Sequence, residues 1–173
     1  LLHFYIAEKS DAANEFGIDE ILIYDGHYAG NPEPNILIKN LPSNVKFVDV
    51  YNRYMDWRRI KGQIKSNCYG MIFVGQHARN NTQNACFPHT IQPSFKELKI
   101  NNYSIAEIGM ALINFQGIKF LANIGDKASM IEAKELYPHV YEIPVKEKSI
   151  NWFPNITETY SVIKSKVKES LNN

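Results

Sequence analysis

Two histidines stand just past short apolar runs. Ile21-Leu22-Ile23-Tyr24 leads into Asp25-Gly26-His27, and Tyr69 to Val74 leads into Gly75-Gln76-His77. A third run, Ile118 to Ile124, ends in Gly125-Asp126. A glycine at each junction lets the backbone turn sharply and present a polar neighbour at the rim of a sheet. In open α/β sheets, ligands sit outside the carboxyl ends of the strands, so His27 and His77 are candidates for one shared site. Glu107, in the first turn of the helix that leads into the Ile118 run, is a third candidate. Two imidazoles and a carboxylate form a ligand set that zinc accepts in catalytic centres, with a further position left open. The separations from 27 to 77 to 107 contain no short metal motif such as His-Glu-x-x-His, so the fold would have to assemble such a centre.

Each of these residues also has a plainer reading. His27 and His77 can be hydrogen-bonded loop residues, and His89, after Pro88, an exposed one. Glu107 lies three residues after Ser104, which spells the Ser-x-x-Glu capping box of a helix start. His3 and His139 are assigned no function. Trp57, Phe115, Phe120 and Trp152 read as core, and Lys146, Lys148, Lys164, Lys166 and Lys168 as a solvated face. There is no GxGxxG, GxxxxGK or GxSxG, so these marks of dinucleotide, nucleoside-triphosphate or serine-hydrolase chemistry are missing.

The elements that would position the candidates alternate in type. Helical spacing is expected over Leu2 to Phe16, stopped by Gly17, then a buried strand over Ile21 to Tyr24 and a loop from Gly26 to Pro34. A helical turn or two over Asn35 to Leu41 precedes a valine-rich strand, Val45 to Val50, and a helix over Tyr54 to Ile64. Tyr69 to Val74 is a further strand, followed by a long polar segment, Gln76 to Pro93. Lys96 to Tyr103 suggests a β-ribbon turning on Asn101-Asn102. A helix from Ser104 to Gly117, the Ile118 strand, a helix over Ala128 to Leu136, a strand over Val140 to Val145 and a helix from about Ile156 to Leu171 complete the series. This pattern predicts a three-layer α/β fold, with a largely parallel central sheet flanked by helices, plus a small β-ribbon.

The 173 residues carry 19 Lys+Arg against 18 Asp+Glu. A net charge of +1 gives no broad attraction to nucleic acid or to anionic membranes, so neither is an expected partner. The apolar runs are far below the roughly 20 residues of a membrane span. No signal peptide is visible, and Cys68 and Cys86 read as reduced thiols, so the expected location is cytoplasmic. No linker or repeat divides the sequence, which is read as a single α/β domain over residues 1–173. Position 1 is leucine and already reads as the middle of an element, so an N-terminal segment upstream of Leu1 is expected.

Several short motifs in order carry a resemblance. Gly75-Gln76-His77-Ala78-Arg79-Asn80-Asn81-Thr82, then Pro88-His89-Thr90, then Ile105-Ala106-Glu107-Ile108-Gly109 resemble the zinc-dependent D-aminopeptidases of bacterial dipeptide operons. Tyr24-Asp25-Gly26-His27 is similar to their Asn-Asp-x-His strand end. Asn123-Ile124-Gly125-Asp126, Glu135-Leu136-Tyr137-Pro138 and Pro144-Val145-Lys146 follow in the family's order. The resemblance implies a two-zinc site in which His27 binds one metal while His77 and Glu107 bind the other. It implies that His89 is the catalytic histidine, acting as nucleophile or acid/base. It also implies a ring-shaped homo-oligomer, a decamer in the type member, with active sites facing an internal cavity.

The sequence departs from the family pattern at identifiable places. The family's first strand carries an Asp-x-Glu pair whose aspartate bridges the metals, and no such motif occurs near the start here. Tyr24, Ala106, Ala111 and Lys127 also replace family residues. Two zinc ions repel strongly and need anionic ligands between them. The expectation is therefore two zinc per chain if the Asp-x-Glu strand lies upstream of Leu1, and one or none otherwise. The functional reading is a metal-dependent aminopeptidase hydrolysing small peptides, D-amino-acid peptides among them. The alternative is a non-catalytic oligomeric homologue or small-molecule binder with a degraded metal site.

Overall fold

The computed structural model describes residues 16–25, 38–48, 57–64, 66–92, 94–148 and 156–172. The chain divides into two compact units, Leu1–Cys68 and Tyr69–Asn173.

In the first unit, strands β1 (Ile21–Ile23) and β2 (Val45–Phe47) pair in parallel, Ile21 opposite Val45. Ile23 and Val45 form a small buried core, with Ile21, Leu41 and Phe47 packed against it. A 3-10 turn, Ile38–Asn40, and a short helix α1, Trp57–Lys61, are the other regular elements of this unit among the described residues. Asp25 is buried just past β1. The helix expected over Leu2 to Phe16, His27 with its loop, and Trp152 lie outside the described residues.

The second unit is a parallel sheet ordered β3-β6-β7, from β3 (Met71–Gln76), β6 (Phe120–Asp126) and β7 (Tyr141–Lys146). Its helices are α2 (Glu107–Asn114), α3 (Ser129–Leu136) and α4 (Ile156–Leu171). The expected ribbon is the antiparallel pair β4 (Lys99–Ile100) and β5 (Tyr103–Ser104), with Asn101 at φ 54° in its turn. All seven residues of central β6 are buried, which is why Phe120 to Ile124, apolar but for Asn123, shows no alternation. Edge strand β7 alternates instead and tolerates Pro144, whose missing N–H would break a central ladder. Ile108, Phe120, Ala133 and Val140 form the core cluster, joined by Met71, Phe73, Leu112 and Tyr137. Helix α4 packs on β6 and β7 and buries Ile163, Val167 and Leu171, an apolar stripe at helical spacing, together with Thr159 and Ser170.

Two boundaries differ from the sequence reading in ways that matter for the rim. Gly75 does not close its strand: β3 continues through it, at φ 73°, to Gln76. The register of β3 on β6 shifts at this point, and a Cβ on Gly125 would collide with the backbone of Gln76. Two glycines thus let the ends of β3 and β6 approach closely, and His77 follows directly. The second difference is the start of α2. Ser104 is part of the ribbon, where its Oγ donates to Glu97 Oε1 at 2.6 Å. The helix begins instead at Glu107 with Ala106 at the N-cap, which has no side chain able to cap. The capping-box reading of Ser104 and Glu107 is thereby corrected: cross-strand pairing takes Ser104, and Glu107 is released for other contacts.

Candidate metal centre

His77 is the first residue beyond β3, at the carboxyl end of the parallel sheet, and Glu107 is the first residue of α2. Glu107 Oε2 lies 3.5 Å from His77 Nε2. Its other oxygen, Oε1, accepts the backbone N–H of Ile91 at 3.0 Å. His89, which its place after Pro88 alone would make an exposed loop residue, is buried, at 6% exposure. Its ring stacks on that of His77 with centroids 3.5 Å apart and planes inclined by 21°. His77, His89 and Glu107 each place one ligand atom within 4.8 Å of the others.

The segment between β3 and the ribbon is folded to bring His89 back. The His89 N–H donates to the Ala78 carbonyl at 3.1 Å, and Asn80 N–H donates to the Thr90 hydroxyl at 3.1 Å. Ala78, Ala85 and Ala128 form a small buried cluster beneath the segment. Asp126, fully buried at the end of β6, accepts the Cys86 N–H at 2.7 Å and the Ala128 N–H at 3.1 Å. Arg79 donates to Ser104 O at 2.7 Å and to both carboxylate oxygens of Glu135, at 2.7 and 3.3 Å. The segment needs left-handed backbone at Asn81, Asn84 and Ile91. Asparagine adopts it readily, whereas a β-branched isoleucine at φ 61° is an outlier. Gln92 N–H donates to Thr90 O at 2.6 Å, so Ile91 is the centre of a tight three-residue turn with positive φ. Such strain costs on the order of 1–3 kcal/mol and gathers at functional sites; here it aims the Ile91 N–H at Glu107.

The hydrogen bonds fix how the rings present themselves. His77 Nδ1 lies 3.1 Å from the Ala78 carbonyl, and His89 Nδ1 lies 3.1 Å from the Phe87 carbonyl. A carbonyl only accepts, so each Nδ1 carries a hydrogen when the ring is neutral, and Nε2 becomes the atom that offers a lone pair. That backbone anchoring is the support metal-ligating histidines usually have. Burial pushes the His77 imidazole down, but the hydrogen bond and charge of Glu107 outweigh it, and its pKa is raised. Burial raises Glu107 in turn, yet its bond to His77 and the His77 charge hold it below the usual carboxylate range.

The donor set fits a zinc ion. Nitrogen and oxygen ligands about 2.1 Å from a tetrahedral zinc stand about 3.4 Å from one another, close to the 3.5 Å between His77 Nε2 and Glu107 Oε2. At that separation the contact between the two is a long, weak hydrogen bond. Of the expected ligands the structure brings together His77 and Glu107, and adds His89 as a third donor; His27 lies outside the described residues.

One residue near the site was missed in the sequence. Glu132, on α3, is 1% exposed, and its Oε1 accepts the backbone N–H groups of Ala106 at 2.7 Å and Gly109 at 3.1 Å. Burial holds this carboxyl above the usual range despite those two bonds. No local pattern reveals it, because the groups it serves lie more than twenty residues earlier.

No curated protein matches the chain. Among solved structures it is similar to one described as the Zn-dependent D-aminopeptidase DppA from Bacillus subtilis, a self-compartmentalizing protease. The two share 22% identity with a TM-score of 0.82, over 99% of this chain and 62% of that one; the likeness is one of fold, and this chain spans less than two thirds of the length of DppA. A family model described as D-aminopeptidase matches residues 6–173. The α/β architecture and the sequence agree, and the chain belongs to the D-aminopeptidase family.

Proposed function

We propose that the chain is a metal-dependent aminopeptidase acting on small peptides, D-configured ones among them. The observation that carries this is the convergence of His77, His89 and Glu107 at one carboxyl-end rim, in a chain of that family. His77 and Glu107 are proposed to hold a zinc ion. When bound, zinc polarises a carbonyl and lowers the pKa of a coordinated water toward about 7. His89, with Nδ1 held by the Phe87 carbonyl, has Nε2 to take a proton from the water whose oxygen bonds to the carbonyl carbon and to deliver it to the departing amine nitrogen as the C–N bond breaks. His27, outside the described residues, is proposed to serve a second zinc only where an Asp-x-Glu pair supplies the bridging carboxylate, and the chain otherwise holds one zinc or none. DppA is a self-compartmentalizing protease, which supports a further proposal, that this chain also assembles into a ring-like homo-oligomer.

A second reading is favoured by the ligand atom of His89 lying in reach of the other two: His89 as a third ligand rather than a proton carrier. Replacement of His89 by Ala separates the two. With His89 as proton carrier, H89A keeps its zinc by metal analysis and loses at least about a hundredfold in peptide hydrolysis. Loss of zinc from H89A makes it a ligand, and unchanged hydrolysis removes it from the reaction. A wild-type chain that takes up no zinc supports the non-catalytic alternative.

A further inference from the structure

The first turn of α2 carries Glu107, and nothing in its own sequence caps it. A helix start leaves its first N–H groups without intrahelical partners. A capping box satisfies two of them, the N3 N–H through the N-cap side chain and the N-cap N–H through the N3 side chain. Here the N-cap is Ala106 and N3 is Gly109, so neither residue can take part. Glu132 Oε1, reaching over from α3, accepts both of those N–H groups, at 2.7 and 3.1 Å. One oxygen thus performs both halves of the box from another element. Gly109 makes room for it: a Cβ there would stand 3.2 Å from Glu132 Oε1 and 2.6 Å from Ile105 Cβ.

We infer that Glu132 is the positioning residue of the metal centre, clamping the first turn of α2 so that Glu107 is presented to His77 and His89. Glu107 is N1 of the clamped turn, so the direction of its Cα–Cβ bond is set by backbone that Glu132 holds at Ala106 and Gly109. The arrangement also explains why Glu107 can face the site at all, since a cap supplied locally would have claimed its carboxylate or that of a neighbour. This inference rests on the metal-site reading only for its functional consequence; the clamp itself is independent of metal.

The test uses the full chain with cobalt(II) as the probe, titrated by its visible absorption, and amide hydrogen exchange on the metal-free protein. Glu132→Ala is expected to weaken cobalt binding about 10–100-fold, as loss of an outer-shell partner does. The amides of Glu107 to Met110 should exchange faster in this variant. Glu132→Gln keeps an oxygen for both N–H groups and is expected to retain the wild-type affinity and exchange. Glu132→Asp, whose carboxyl is one methylene short, should fall between them, and it reads the effect should the alanine variant fail to fold. Wild-type affinity in E132A and E132D overturns the inference, as does E132Q being as impaired as E132A. If the wild-type chain takes up no cobalt, the metal-site reading falls and exchange alone decides: unchanged first-turn protection in E132A and E132D overturns the clamp.

Discussion

At the scale of single residues, the pairing of His77 with Glu107 sets opposite demands on the metal-free and loaded site. His77 titrates above its ordinary value and Glu107 below its own. Without metal, the Glu107 contribution to stability is present above the unfolded carboxylate value and lost as pH falls through its depressed folded value. The His77 contribution is present below the unfolded imidazole value and lost as pH rises through its raised folded value. The pair therefore stabilises the metal-free chain between those limits. Zinc needs the neutral imidazole, so a proton must leave His77 before the ion can bind. Zinc affinity is expected to weaken about tenfold per pH unit once the solution is more acidic than the raised His77 value. Calorimetric titration across neutral pH checks this; an affinity that stays flat down to the ordinary histidine range would contradict the pairing. Most of this was legible in sequence, because His77 and Glu107 follow a strand and open a helix. His89 was legible only through the family resemblance: a histidine after a proline in a polar stretch carries no sign of its own that its backbone returns to Ala78.

At the scale of elements, the long segment after β3 is held by bonds within itself and by single polar groups from other elements, the end of β6 among them. Strands β1, β3, β6 and β7 and helix α4 could be read from apolar runs and periodicity, since burial on one or two faces imposes those patterns. The fold of residues 77–92 depends instead on single polar groups from distant positions, which leave no period behind. Asp126 is one, accepting the N–H of Cys86 within the segment and that of Ala128 leading into α3. Replacing Asp126 with Ala leaves two backbone donors without an acceptor, at about 1–3 kcal/mol for each that is buried. The expected result of D126A is a loss of about 2–4 kcal/mol in chemical denaturation, together with slower peptide hydrolysis as His89 loses its fixed place. A variant with lowered stability but unchanged hydrolysis would show that His89 is anchored without Asp126. The start of α2 teaches the same lesson in reverse: Ser104-x-x-Glu107 satisfied a local rule, yet the ribbon took Ser104 and the cap came from α3.

At the scale of the whole molecule, metal binding and folding should be one equilibrium. Three donor groups from a strand end, a folded-back loop and a helix start converge only in the native chain, so an ion held there stabilises it by RT ln(1 + [L]/Kd), about 2.7 kcal/mol at a hundredfold excess over Kd. Zinc is therefore expected to raise the Tm of the wild-type chain and a chelator to lower it again. Glu107→Gln separates charge from structure in this response. Its amide oxygen can still accept the Ile91 N–H, so metal-free stability should change by only about 1 kcal/mol, while the anionic ligand is gone. Zinc should leave the Tm of E107Q nearly unmoved. If E107Q shifts as far as the wild-type chain, the ion is stabilising some other part of the molecule. If neither shifts, His77, His89 and Glu107 are a hydrogen-bonded cluster at a sheet edge rather than a metal centre, and the family's chemistry has been lost from this chain.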